Sequence, residues 1–479
     1  MSAPDQRQVE HFIGGQWVAS RRGQRLLVIN PATEQSIATV PEATGQDIES
    51  AVAAARAAFP AWAATPPHER AGHLRRLAVR LEARTDEIAR TITAEMGAPL
   101  AFSLRVQAGL PVTVMFSFAD VTASFSFEEK IDNSLVILDP VGVVAAITPW
   151  NFPLHQVILK VAAALAAGCT VVVKPSELAP LSADLLAELA HDTGLPAGVL
   201  NIVHGTGPRV GEALTRHPGI DMVSFTGSTR AGREVARRAG ETLKKVALEL
   251  GGKSATVILP DTDSDLFETA VRHGVRKCFM NSGQSCNALT RLLVPADQTG
   301  TAVELAAAEA GRFAVGDPFA DGVRIGPMVS AHHRDRVRGY IQQGVAEGAQ
   351  LAIGGFEPPA GLDRGFYIRP TVFADVSPAM VIAQEEIFGP VLTVTGYHSE
   401  DQAVDIANGT PYGLAGAVWS ADPDHAATFA RRLRTGQVDL NGGRFNPLAP
   451  FGGFGHSGFG REYGSYGLRE FCEPKSLQF

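Results

Sequence analysis

The chain has 479 residues, 45% of them hydrophobic and 19% charged, with a formal net charge of −8. That length exceeds one ordinary core and predicts two or three domains in a large water-soluble protein. The acidic balance argues against a polyanionic partner: the most basic stretch, Arg230 to Lys245, is interrupted by Glu234 and Glu241 and reads as the solvated face of a helix.

The first eight residues are polar and carry no signal-like apolar run. From Gln46 to about Ala119 the pattern is helical, with apolar stripes over Ile48 to Ala64 and Leu74 to Ile92 and turns at Pro66-Pro67 and Gly97-Ala98-Pro99. Ser124 to Ile131 alternates as an exposed strand does. From Leu135 onward short β-branched runs alternate with helices. Val143 to Ile147 leads to a helix from Leu154, Thr170 to Val173 to one from Ser182, Val199 to Val203 to one from Pro208, and Met222 to Phe225 to one from Thr229. Val246 to Leu250 closes the series.

The alternation restarts after Gly251-Gly252. Ala255 to Leu259 is a strand, Asp265 to Met280 a helix, and Arg291 to Val294 a strand. Val391 to Thr395, Leu414 to Trp419 and Val438 to Leu440 follow, separated by helices after Asp401 and from His425. Fully apolar strands alternating with helices predict parallel sheets covered on both faces. The longest apolar run, Val157 to Val173, contains Lys160 and a Gly168 break, so it reads as helix, turn and strand rather than a membrane span. Gly355 to Gly365 reads as a surface loop.

The cysteines, Cys169, Cys278, Cys286 and Cys472, form no CxxC pair and no disulfide framework. That spacing predicts no metal site and a reducing compartment, taken as the cytoplasm. Cys169, Cys278 and Cys472 fall in structural patterns. Cys286 differs, because it ends the loop-forming string Asn281-Ser282-Gly283-Gln284-Ser285. Glu249 ends an apolar strand just before two glycines. A nucleophile and a carboxylate able to activate water suggest covalent catalysis followed by hydrolysis.

Three strand-to-helix turns are candidates for phosphate or ribose. Gly205 to Gly211, which includes Gly207, misses the dinucleotide fingerprint because its last glycine is one residue late. Gly227-Ser228-Thr229 presents a helix start to an anion. Lys174-Pro175-Ser176-Glu177 ends a strand with a cation and an anion suited to ribose hydroxyls. Three such turns in one parallel unit favour a nucleotide site.

The sequence resembles the aldehyde dehydrogenase superfamily from about Phe12 to the C-terminus. The resemblance rests on seven strings in order: Pro149-Trp150-Asn151-Phe152-Pro153, Lys174-Pro175-Ser176-Glu177, Phe225-Thr226-Gly227-Ser228, Glu249-Leu250-Gly251-Gly252-Lys253, Gly283-Gln284-Ser285-Cys286, Glu386-Ile387-Phe388-Gly389-Pro390 and Pro450-Phe451-Gly452-Gly453. It implies an α/β fold with a Rossmann-like NAD domain (1–120 and 141–251), a catalytic α/β domain (252–448) and a small β oligomerisation element (121–140 and 461–479). In that element a hairpin near Val121 to Pro140 and the tail pair across subunits in relatives, as a homodimer or homotetramer.

The resemblance also assigns roles. Cys286 adds to an aldehyde carbonyl, the Asn151 side-chain amide and the Cys286 backbone N–H hold the oxyanion, and Glu249 activates the water that releases the acid. Lys174 and Glu177 clamp the adenosine ribose, Ser228 meets the pyrophosphate, Glu386 the nicotinamide ribose, and Phe388 and Trp150 lie near the nicotinamide. Gly207, Gly211, Phe225, Thr226, Gly227 and Leu250 complete the cofactor set. Glu177 favours NAD, whereas Arg230, where an acidic residue is common, leaves NADP open. For its task Glu249 is expected above its usual pKa and Cys286 below. Phe152, Phe445 and Phe451 match tunnel positions, implying an apolar or aromatic aldehyde. The competing functions are a redox-independent esterase or thioesterase using the same cysteine, and a non-catalytic structural protein of this fold.

Overall fold

A computed structural model describes residues 7–20 and 24–479. Its first large sheet has eight strands. Five run parallel, in the spatial order Lys245–Glu249, Met222–Thr226, Val143–Ile147, Thr170–Lys174 and Leu200–Ile202. The last of these pairs antiparallel with the hairpin His11–Ile13/Gln16–Val18, and Gly458–Phe459 adds antiparallel to the opposite edge. The three central strands are buried along their whole length, and their residues carry no alternation because helices cover both faces. The helix Pro153–Ala167, every residue buried, starts with proline at its first turn and ends at Gly168 in the left-handed conformation. Lys160 on that helix is reached by Glu462 at 2.7 Å, which explains a cation inside an apolar run.

The second sheet has seven strands in the order Gln350–Ile353, Thr371–Ala374, Val391–Tyr397, Leu289–Pro295, Ser254–Ile258, Ala415–Trp419 and Gln437–Leu440, parallel except for the first. The chain passes from one sheet to the other through Leu250–Lys253, where the second alternation was expected to begin. The three-stranded sheet Arg7–Gln8, Ser36–Pro41 and Arg25–Ile29 is separate.

Two expectations change. The stripe over Leu74 to Ile92 belongs to two helices, Pro67–Ala83 and Thr85–Met96, because Arg84 leaves helical geometry at φ −110°, ψ 20°. Val121 to Ser124 is the last turn of the helix Gly109–Ser124, not hairpin: no breaker precedes Phe125, and Phe118, Ala119 and Thr122 bury a helical face. The hairpin is Glu128–Ile131 with Ser134–Pro140, and the tail strand Cys472–Gln478 pairs antiparallel with Ser134–Pro140 of its own chain. One helical stretch among the described residues, Leu100–Ser124, is long and apolar enough to cross a membrane by length and composition. Phe118 within it is fully buried in the core that also holds Leu77 and Leu165.

Candidate active site

Strand order in the first sheet reverses between Val143–Ile147 and Met222–Thr226, the place where open parallel sheets bind ligands. A cleft of about 520 Å3 opens there, at the carboxyl ends of the strands. Thr148 and Trp150 follow the first strand, Gly227 and Ser228 the second, and Ser176 and Glu177 the neighbouring Thr170–Lys174. Ser330, His332, His333 and Arg336, with Glu386 and Phe388, form another part of the wall. That volume suits a cofactor-sized ligand.

Lys174 is 2% exposed, and its ammonium donates to the carbonyls of Pro175 (2.8 Å) and Gly205 (2.9 Å) and to Glu177 Oε2 (3.3 Å). Burial lowers its pKa despite that carboxylate. Ser228 caps the helix Thr229–Gly240, accepting from the Ala231 N–H at 3.2 Å, so the positive end of that helix faces the cleft. The hydroxyls of Thr148 and Thr226 and Oε1 of Gln156 are buried in the wall with no hydrogen-bond partner. Orphaned polar atoms beside a helix start fit a polar, anionic ligand such as a dinucleotide.

Cys286, partly exposed, is also a wall residue. The turn leading to it holds three consecutive left-handed residues: Asn281 (φ 53°), Ser282 (φ 58°) and Gly283 (φ 74°). Such a run stores strain, and the surroundings hold it. The Asn281 amide donates to the carbonyls of Asn151 (2.9 Å) and Gln284 (3.1 Å), and the Ser282 hydroxyl donates to the Gly326 carbonyl (3.2 Å). Gln284 Oε1 accepts from Val329 N–H at 3.0 Å. At Gly283 any Cβ would overlap the backbone of Gly389 and Pro390.

Asn151, 3% exposed, donates its side-chain amide to the Gln284 carbonyl at 3.1 Å. Glu249 ends its strand beside Gly458, 5% exposed, and neither carboxylate oxygen has a hydrogen-bond partner. Its pKa stands well above the usual carboxylate range, first through burial and then through the Glu462 carboxylate, with Lys160 and Arg461 opposing. Glu386 Oε1 accepts the Gly252 N–H at 3.0 Å, and burial lifts this carboxyl to about 7. Gly251 permits that approach, since a Cβ there would strike the same carboxylate. The Cys286 thiol is pushed upward, by burial first and then by Glu249, Glu386 and Glu462. This reverses the direction expected from sequence, because burial dominates and the charged side chains that act on the thiol are carboxylates.

The profile of the aldehyde dehydrogenase family matches residues 17–477. The chain belongs to the aldehyde dehydrogenase family. Its reaction class is accordingly the oxidation of an aldehyde to the carboxylic acid. It is 47% identical over 469 residues to the 3-succinoylsemialdehyde-pyridine dehydrogenase of a Pseudomonas species, covering 98% of each chain. It is 44% identical to the geranial dehydrogenase of Castellaniella defragrans, over 97% of this chain and 98% of the relative. Among solved structures, aldehyde dehydrogenase C of Pseudomonas syringae, a cysteine-to-alanine mutant with NAD+ and octanal, matches at TM-score 0.97 and 46% identity, over 99% of this chain and 97% of the other. The Mycobacterium tuberculosis aldehyde dehydrogenase with NAD+ matches at 0.96 and 42%, over 99% of both chains.

In this aldehyde dehydrogenase the cleft wall gathers most of the residues singled out in the sequence: Cys286, Asn151, Trp150, Lys174, Glu177, Gly207, Phe225, Thr226, Gly227, Ser228, Leu250, Glu386 and Phe388. Gly211 and Glu249 lie off it. Gly211 is buried in the turn Gly207–Gly211, close beneath the Lys174 stem. Glu249 sits deeper, near enough to Cys286 to raise the thiol. Trp150 meets the Phe388 ring edge-on at 5.4 Å and the His333 ring at 5.2 Å, and the His333 Nε2–H donates to the Phe388 carbonyl at 2.7 Å. Phe152, Phe445 and Phe451 stay off this wall. Phe445 and Phe451 pack with Tyr463 in the cluster that Cys286 also touches, and Phe152 stands against Phe102.

The sequence missed Thr148, Gln156, His332, His333 and Arg336 as wall residues. A signal for the last three was present: Ser330 is an N-cap, accepting from the His333 N–H at 3.2 Å, and starts the helix Ala331–Ala346. Arg230 lines the cleft one residue inside the helix that Ser228 caps. His456 accepts from the Arg233 guanidinium at 2.9 Å, and its carbonyl takes the Thr229 hydroxyl at 3.0 Å.

Proposed function

We propose that this aldehyde dehydrogenase oxidises an apolar or aromatic aldehyde with NAD by covalent catalysis at Cys286. The observation that carries the reading is the convergence of a thiol, a buried amide donor and a dinucleotide-sized cleft at one turn. The site fits NAD on its own chemistry: a cation–carboxylate pair, a capped helix start and unpartnered hydroxyls line one cleft. When bound, NAD supplies a hydride acceptor.

Cys286 gives up its thiol proton as its sulfur bonds to the aldehyde carbon. Glu249, itself held above its usual range, is matched to accept that proton, release it to solvent and later accept one from water. The carbonyl oxygen becomes an oxyanion, which the Asn151 amide and the Cys286 N–H stabilise as donors. Loss of hydride from the carbon leaves a thioester on Cys286. Water deprotonated by Glu249 attacks it, and the carbon–sulfur bond breaks to free the acid and the thiolate. Turnover of an aldehyde panel tests this, with Cys286→Ala expected to be inactive and Glu249→Gln to accumulate an acyl adduct on Cys286. Undiminished turnover by Cys286→Ala would sink it.

Glu177 supports NAD over NADP, because its carboxylate, tethered to Lys174, repels a 2′-phosphate. Arg230 pulls the other way and supports NADP as a poorer second cofactor. Phe445, Phe451 and Tyr463 near the nucleophile support an apolar or aromatic substrate, and the relatives named for geranial and solved with octanal agree with that chemistry. The two large sheets and the small tail sheet support the partition into NAD-binding, catalytic and oligomerisation units. The exposed outer strands of the tail sheet support a homo-oligomer, since an unpaired strand edge invites a second copy. Four free cysteines support a cytoplasmic location.

A further inference from the structure

Gln107 is fully buried in the π-helical stretch Ser103–Ala108, whose Leu104 and Arg105 are exposed. A π turn inserts an extra residue into a helix and recurs at functional sites. This one runs into the helix Gly109–Ser124 and sets Gln107 against the loop of Asn151 and the turn of Asn281. The Gln107 amide donates to the Asn151 carbonyl (2.9 Å) and to Asn281 Oδ1 (3.3 Å), with the Met96 sulfur a weaker neighbour at 3.8 Å. Its own Oε1 is buried without a hydrogen-bond partner.

An unpaired buried oxygen is costly, yet the opposite sense of this amide would turn that oxygen toward both acceptors. The donors of Gln107 are therefore what the surroundings require. Because Asn281 Oδ1 accepts from Gln107, the Asn281 amide nitrogen faces the other way. There it donates to the carbonyls of Asn151 (2.9 Å) and Gln284 (3.1 Å). The Gln284 carbonyl also accepts the Asn151 side-chain amide at 3.1 Å. Gln107 thus acts on both ends of Asn151, on its main chain directly and on its side chain through Asn281 and Gln284. Resting on the catalytic roles given above for Asn151 and Cys286, we propose that Gln107 is a positioning residue that aims the Asn151 amide at the developing oxyanion. It lines no part of the cofactor cleft, so its effect on NAD binding is nil.

Single-turnover formation of reduced nicotinamide at saturating NAD tests this role, with Tm and NAD affinity measured for each variant. Gln107→Met, close in volume but without donors, should slow that step by roughly 10- to 100-fold, as small misplacements of reacting groups do. Gln107→Glu, which keeps the shape and at most one donor, should be slowed as well, and both should bind NAD as the parent does. Adding Gln107→Met to Asn151→Ala should slow the step by less than about twofold more, because residues that act through one another are not additive. A full second loss in that double variant, parental rates in both Gln107 variants, weakened NAD binding, or failure of both to fold would each overturn the proposal. Undiminished turnover in Asn151→Ala alone would instead remove the catalytic role on which it rests.

Discussion

The Asn151 amide is hydrogen-bonded to the carbonyl of Gln284, two residues ahead of Cys286, at 3.1 Å. One of its two amide hydrogens is thereby spent on orientation. The backbone carbonyl of Asn151 is fixed as well, by the side chains of Gln107 and Asn281, each at 2.9 Å. A donor locked to the nucleophile's own turn costs no reorganisation when charge develops on the substrate oxygen. Replacing Asn151 with Ala should lower kcat by roughly 10²- to 10³-fold, about 3–4 kcal/mol of barrier. Cofactor affinity, measured by fluorescence titration, should change little. An equal loss in cofactor binding would mean the residue supports the cleft instead.

Glu249 titrates above the ordinary carboxylate range, so its proton is still bound at pH values where an exposed glutamate is ionised. The base form emerges as pH rises, and the rate of thioester hydrolysis should rise with it. Glu249→Gln removes that limb from the pH–rate profile and should leave a single burst of reduced nicotinamide per active site, slowed by loss of the thiol's proton acceptor. Lys160 stabilises the ionised form of Glu249, so Lys160→Met should move the limb to higher pH. A limb that survives unchanged in Glu249→Gln would remove this residue from the mechanism.

Alternating apolar strands and helices were legible because the central strands are buried on both faces and carry continuous apolar runs such as Val171–Val173. The turn before Cys286 was legible as a turn because Asn281, Ser282 and Gly283 are residues that tolerate left-handed geometry. The electrostatics were not. The thiol's upward shift comes first from burial and then from carboxylates, and one of these, Glu462, is far from Cys286 in sequence and reaches the site through the return of the chain after Gly458–Phe459. The second wall around His333 was hidden for a similar reason, since it comes together only when the helix Ala331–Ala346 meets Phe388. The hairpin boundary failed because the helix Gly109–Ser124 buries residues whose local spacing also suits a strand.

Two opposed charges, Glu177 and Arg230, lie on the cleft wall, and the proposed preference for NAD rests on them. Glu177 lies 3.3 Å from the Lys174 ammonium, which fixes where its negative charge sits. Glu177→Gln should raise kcat/KM with NADP by about tenfold, the equivalent of ~1.4 kcal/mol, relative to NAD. Arg230→Ala should lower NADP use and leave NAD nearly unaffected. The ratio of kcat/KM values for the two cofactors reads both changes, and an unaltered ratio in each single variant would place the determinant elsewhere.

Gly283 is the position where the active-site turn tolerates least. Its φ of 74° already disfavours any side chain, and a Cβ would lie inside the backbone of Gly389 and Pro390. Relief requires moving either the Cys286 turn or the segment after Phe388, and both carry wall residues of the cleft. Gly283→Ala should therefore lower stability by at least about 1–3 kcal/mol from backbone strain alone, seen as a lower Tm. Residual folded protein should show weaker NAD binding as well as slower turnover, because the same displacement shifts Phe388 and Glu386. A variant with wild-type Tm and activity would show that this close approach does not constrain the enzyme.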